Sequence, residues 1–97
     1  MTVGLLTIQI HLHGIGSLKD KRKIVKSLIG KLKAKFNLSV AEVHAQDSKA
    51  LAVIGLAVVS NDSAFIHKQL DTVINFVQRD TRFYMGAVER EIFPFNP

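Results

Sequence analysis

Hydrophobic and polar positions alternate from Val3 to His13, with Leu6, Ile8, Ile10 and Leu12 on one parity and Thr7, Gln9, His11 and His13 on the other. A period of two over this length predicts a strand with one buried face. Gly14-Ile15-Gly16 ends the alternation, and the period changes: Leu18, Val25, Leu28, Ile29, Leu32 and Phe36 recur at helical spacing and form one apolar stripe. Ser17 stands where an N-cap is needed, and Asp20 occupies the capping-box position three residues later. Asn37 is placed to end this helix in a left-handed conformation, and Gly30 inside it costs about 1 kcal/mol relative to alanine. Leu38 to Gln46 reads as a second, more polar strand with Glu42 and His44 on one side. Asp47-Ser48-Lys49 is a turn, and Ala50 to Val59 a third strand. Ser60-Asn61-Asp62-Ser63 offers several N-caps for a second amphipathic helix, from Ala64 to about Arg79, carrying Ile66, Leu70, Val73, Ile74 and Val77. Asp80-Thr81 leads into a fourth strand from about Phe83 to Ile92, and Phe93-Pro94-Phe95-Asn96-Pro97 reads as an irregular tail.

Ninety-seven residues make one domain, spanning 1–97. Strand, helix, strand, turn, strand, helix, strand is the split pattern of α+β, ferredoxin-like βαββαβ domains. Right-handed crossovers then set both helices on one face of a four-stranded antiparallel sheet, in the order 4-1-3-2. The third strand is apolar throughout, as an interior strand should be; Glu42 and His44 mark the second as an edge. Leu6, Ile8, Ile10, Leu12, Val25, Leu28, Leu32, Leu70, Val73 and Val77 are the expected core.

Composition narrows the functional classes. Hydrophobic residues are 47% of the chain, enough for a core without staples, and the absence of cysteine excludes disulfides and thiolate zinc sites. The N-terminus has no basic region ahead of its apolar stretch, unlike a signal peptide. The longest apolar run, Ala50 to Val59, is about half of the ~18–20 residues a membrane helix needs. A cytoplasmic protein without membrane contact is expected.

Charge is distributed unevenly. Between Ser17 and Phe36 eight Lys/Arg face one acid, a net +7, whereas the remaining chain has five against seven, a net −2. At about 100° per residue, Lys19, Arg22, Lys23, Lys26 and Lys33 share one stripe beside the apolar one, and Lys21, Lys31 and Lys35 lie elsewhere around the helix. Lys19, Lys21, Arg22 and Lys23 crowd an N-terminus that is already partly positive, at some tenths of a kcal/mol each. Charge runs usually just solubilise a helix, but this placement also fits an anionic partner, with free N–H groups after Gly14-Ile15-Gly16-Ser17 to assist. The stripe is the candidate nucleic-acid or anion site, for RNA or a ribosomal particle.

The other candidate surface is the open side of the sheet. Leu51, Val53, Ala57 and Val59 share one parity of the third strand, and Ala52, Ile54, Leu56 and Val58 the other, so one apolar row must face away from the helices. Val3 and Leu5 add to that row. Monomers do expose apolar patches of a few hundred Å2, but a central strand apolar on both faces points to cover on both. Val3, Leu5, Leu51, Val53, Ala57 and Val59 are therefore the candidate interface of a homo-oligomer.

Catalytic chemistry is not evident. His11 and His13 share one side of one strand, but His44 lies two strands away, roughly 10 Å at ~4.8 Å per strand, and His67 is on a helix, so no metal or cofactor is expected. Glu42 and the pair Glu89 and Glu91 belong to opposite edges. No nucleophile–histidine–acid set stands out, and a non-enzymatic role is expected. The first and third strands carry no Phe, Tyr or Trp, so base stacking on the sheet in the manner of an RNA-recognition motif is disfavoured.

Ser17-Leu18-Lys19-Asp20-Lys21-Arg22, Ile24-Val25-Lys26-Ser27-Leu28, Lys35-Phe36-Asn37-Leu38-Ser39-Val40-Ala41-Glu42-Val43 and Ile54-Gly55-Leu56-Ala57-Val58-Val59-Ser60 together resemble the YlxP-like family of small bacterial proteins. The resemblance runs from the first strand to the second helix. It implies a ferredoxin-like fold and no established activity or catalytic residues. Some members are encoded beside translation and ribosome-maturation genes, which implies a link to RNA or ribosomes.

Overall fold

The computed structural model describes residues 1–96. Along the chain run β1 (Thr2–His11), α1 (Leu18–Lys35), β2 (Ser39–His44), β3 (Leu51–Ser60), α2 (Ser63–Gln78) and β4 (Tyr84–Pro94). The strands form one antiparallel sheet in the order β2-β3-β1-β4, the expected 4-1-3-2 read from the other edge. Among the described residues no helix is long and apolar enough to cross a membrane.

One core accounts for the arrangement. Leu6, Ile8 and Ile10 of β1 and Ala52, Ile54, Leu56 and Val58 of β3 are buried together with Val25, Leu28 and Leu32 of α1 and Ile66, Leu70, Val73 and Val77 of α2. Both helices therefore cover the same face. Ser17 caps α1, its Oγ accepting from the Asp20 N–H at 3.1 Å. Asp62 is the residue chosen among the four candidates to cap α2, accepting from Ala64 N at 3.0 Å and Phe65 N at 3.3 Å.

Three local expectations are overturned. Asn37 does not close α1 in a left-handed conformation, since Ala45 is the only non-glycine residue with positive φ among those described. The chain instead turns extended at Phe36 (φ −128°, ψ 148°), whose ring packs edge-on against Phe76 with centroids 5.8 Å apart. The tail is not irregular from Phe93: Phe93 and Pro94 continue β4 opposite Val3 and Thr2, and Phe95 N–H donates to Met1 O at 2.7 Å. Proline is tolerated there because β4 is an edge; Pro97 lies outside the described residues. Finally, Glu42 and His44 do not share a side. A bulge between them leaves Glu42 opposite core-facing Ile54 and His44 opposite Val53 on the other face.

Candidate functional site

Gly14 takes φ +71° and turns the chain from β1 toward α1, a conformation in which glycine has no side-chain penalty. On α1, Lys19, Arg22, Lys23, Lys26 and Lys33 are all exposed. None is in an ion pair among the described residues, where the pairs involve Lys21, Arg82 and Arg90. Their stripe is centred about 140° around the helix from the row that meets the sheet. With Asp20 the only acid on the helix, the solvent side is a nearly unbroken positive surface.

Lys21, inside the same cluster, has a different fate. It has no solvent exposure, and its Nζ lies 2.8 Å from Glu42 Oε2 on β2. The carboxylate meets the ammonium off the hydrogen-bonding direction, so this is an ion pair without an aligned hydrogen bond. The ammonium donates instead to Ala45 O at 2.8 Å and Gln46 O at 3.3 Å. Ala45 reaches that position by adopting φ 62°, an uncommon and strained region for a residue with a Cβ. Lys21 thus ties the first turns of α1 to the end of β2 and fixes which side of the helix faces water. Reading the sequence for charge alone misses it. The available signal was phase: Lys21 shares its side of the helix with Val25, Leu28 and Leu32.

Val3, Leu5, Leu51, Val53, Ala57 and Val59 all fall on the sheet face opposite the helices, on the parity that leaves Leu6, Ile8, Ile54 and Leu56 in the core. Ser39 and Ala41 of β2 lie opposite Ala57 and Gly55 on this face, and Glu91 and Phe93 of β4 lie opposite Leu5 and Val3. Leu5, Val43 and Val59 remain 38%, 50% and 62% exposed, whereas Val3, Leu51, Val53 and Ala57 are half-buried. At the centre of this face is a shallow trough of about 360 Å3 over Gly55, flanked by Leu5, Thr7, Ala41, Val43 and Ala57. A side chain at Gly55 would begin to fill it, and its Cβ would come within 2.8 Å of Val43 Cγ1. The face is apolar along β3 and at Val3 and Leu5 of β1, polar farther along β1 at Thr7, Gln9 and His11, and acidic at the β4 edge, where Glu89 and Glu91 stand opposite Thr7 and Leu5.

His11 and His13 both stack on Tyr84, with ring centroids 5.1 and 5.2 Å away. Among the described residues no group of three or more His, Cys, Asp or Glu could hold a metal ion.

The model of a protein family described as "Protein of unknown function (DUF503)" matches residues 3–90. The chain is 31% identical over 75 residues to the uncharacterized protein YlxP of Bacillus subtilis (strain 168), an alignment covering 77% of this chain and 82% of that one. Among solved structures, a REP-associated tyrosine transposase bound to a REP hairpin aligns over 97% of this chain with 8% identity and a TM-score of 0.44, and the chain spans 57% of it. SnoaB, a cofactor-independent oxygenase from Streptomyces nogalater, aligns over 99% of this chain and 94% of its own length with 9% identity and a TM-score of 0.38. Neither structural likeness bears on function.

Proposed function

This chain belongs to the DUF503 family, whose function is unknown, and we propose that it is a non-enzymatic binding module that docks RNA or a ribonucleoprotein, such as a ribosomal particle, on the solvent side of α1. The carrying observation is the set of five exposed cations, Lys19, Arg22, Lys23, Lys26 and Lys33, on one stripe of one helix, in no ion pair among the described residues. Three of them sit in the first turns, where the helix dipole disfavours positive charge, and a polyanion would offset that cost. Such contacts position a phosphate backbone without reading bases. The absence of aromatics from β1 and β3 fits backbone binding better than stacking on the sheet.

Counterion release supplies the test. Three to five phosphate contacts give a log–log salt slope of roughly −2 to −4.5, at about −0.7 per phosphate on single strands and −0.9 on duplex. Lys19→Glu with Lys23→Glu should abolish binding to RNA and ribosomal particles in a salt titration while the circular dichroism spectrum stays unchanged. Wild-type protein that binds neither at low salt, or a double variant that binds as wild type does, sinks the reading.

The open face supports a second reading, compatible with the first: a homo-oligomer in which a second copy covers Val3, Leu5, Leu51, Val53, Ala57 and Val59. Its support is the contiguity of these side chains with exposed Val43 across three strands. Val53→Glu should then dissociate the assembly in sedimentation equilibrium, because an unpaired charge buried in an apolar contact is costly. A wild type that sediments as a monomer at high concentration removes this reading.

A further inference from the structure

The last two turns of α1 run past the end of α2, and the space between them is a cleft of about 470 Å3 lined by Lys31, Lys35, Phe76, Arg79, Asp80, Thr81 and Arg82. This is ligand-sized, and its residues come from two separate parts of the chain, the end of α1 and the stretch from Phe76 to Arg82. Asp80 is fully engaged: it accepts from Arg82 N at 3.0 Å and from Arg82 Nε at 2.9 Å, and it also pairs with the guanidinium Nη2. The Arg82 guanidinium, and less strongly Lys31, hold the Asp80 carboxyl below its ordinary value of 3.8. The acid therefore orients Arg82, and the fork's remaining N–H groups meet no acceptor among the described residues. Lys31, Lys35 and Arg79 are exposed and in no ion pair among the described residues.

Cations near helix C-termini have an ordinary explanation, since each end carries about half a negative charge. Magnitude decides against it as the whole account. Four cations around one acid leave three positive charges, and two helix ends offset only about one of them. About two remain, close to the −1.5 to −2 carried by a phosphomonoester near neutral pH. The cleft also has an aromatic wall, because Lys35 Nζ sits 4.8 Å from the centroid of the half-buried Phe76 ring. If Lys35 swings aside, that ring offers a stacking face.

We propose that this cleft is a nucleotide site in which Lys31, Arg79 and Arg82, joined by Lys35 once it leaves the ring, hold a phosphate and Phe76 receives the attached base. It shares no residue with the α1 stripe and does not depend on the stripe binding RNA. The nucleotide is either free or part of a strand.

Uridine 5′-monophosphate, uridine and a short 5′-phosphorylated oligouridylate are the probes, followed by amide NMR shifts and by fluorescence titration. The monophosphate should shift the amides of Thr81, Arg82 and Phe83 saturably, and uridine should not. Lys31→Glu with Arg79→Glu, both on exposed positions, should weaken its binding by about tenfold or more through loss of charge-assisted hydrogen bonds. Lys19→Glu with Lys23→Glu removes the same charge elsewhere and should leave mononucleotide binding unchanged. If the mononucleotide does not bind but the cleft variant weakens the strand, the site takes a strand nucleotide. No saturable shift with the monophosphate, together with strand binding unaffected by the cleft variant, overturns the proposal. Equal loss of mononucleotide binding in both double variants also overturns it. Mononucleotide binding that survives while wild-type protein ignores RNA would sink the stripe reading and leave the cleft standing.

Discussion

Lys21 and Arg22 are neighbours in the sequence, both cationic, in the same helical turn, and they belong to opposite regions of the molecule. Arg22 lies on the solvent side of α1 with Lys19, Lys23, Lys26 and Lys33. Lys21 lies on the packed side with no exposure, held by Glu42 and two carbonyls. Rotation by one residue separates a cation free to meet a ligand from one that sets the orientation of the helix. The two regions share one helix, whose phase against the sheet is set by Val25, Leu28 and Leu32 in the core together with the buried pair.

The most severe way to break this comparison is Glu42→Gln. It leaves a buried ammonium without its counter-charge, and we expect a loss of about 3–5 kcal/mol in urea denaturation. Lys21→Met with Glu42→Leu should return most of that loss, since apolar replacement of a whole buried pair is often neutral. A Glu42→Gln loss under 1 kcal/mol would mean that the backbone carbonyls alone satisfy Lys21.

The Arg82–Asp80 pair is intermediate, with the arginine side chain 32% and the aspartate side chain 11% exposed. Asp80→Asn should cost roughly 1 kcal/mol near pH 7, the upper range for pairs open to solvent. Because the folded-state pKa of Asp80 is depressed below 3.8, its contribution is full above the unfolded value and is lost as pH falls through the folded one. The stability difference between wild type and Asp80→Asn should therefore hold from pH 7 to about pH 5 and close below pH 4. A difference that is flat down to pH 2.5 would show that the ion pair does not carry it.

The smallest effect is expected on the solvent side. Lys19→Glu with Lys23→Glu replaces exposed cations by acids near a helix N-terminus, and stability should stay level or rise by about 0.3 kcal/mol per site. The contrast with Glu42→Gln is sharpest if the variant that leaves stability intact is the one that loses polyanion binding. A clear destabilisation would mean that these lysines pack rather than point to water.

The sequence by itself determined the element order, the sheet topology, the core and the parity of the open face. Each of these rests on short-range periodicity, and burying one face of an element forces side chains two or about 3.6 residues apart to the same side. It also determined the basic stripe, whose residues share one helix. Tertiary structure alone decided the rest. Glu42 and His44 lie on the edge strand that the pattern predicts, but a bulge cannot be seen in an alternating pattern, and the shift it introduces puts the two on opposite faces. Phe36 ends α1 in an extended conformation against Phe76, some forty residues away, where local preference had pointed to Asn37. The cleft joins Lys31 and Lys35 to Arg79 and Arg82, positions far apart in sequence and without any motif spacing. Charges brought together by the packing of two helices leave no periodic trace, because the distance that matters is set by the core beneath them.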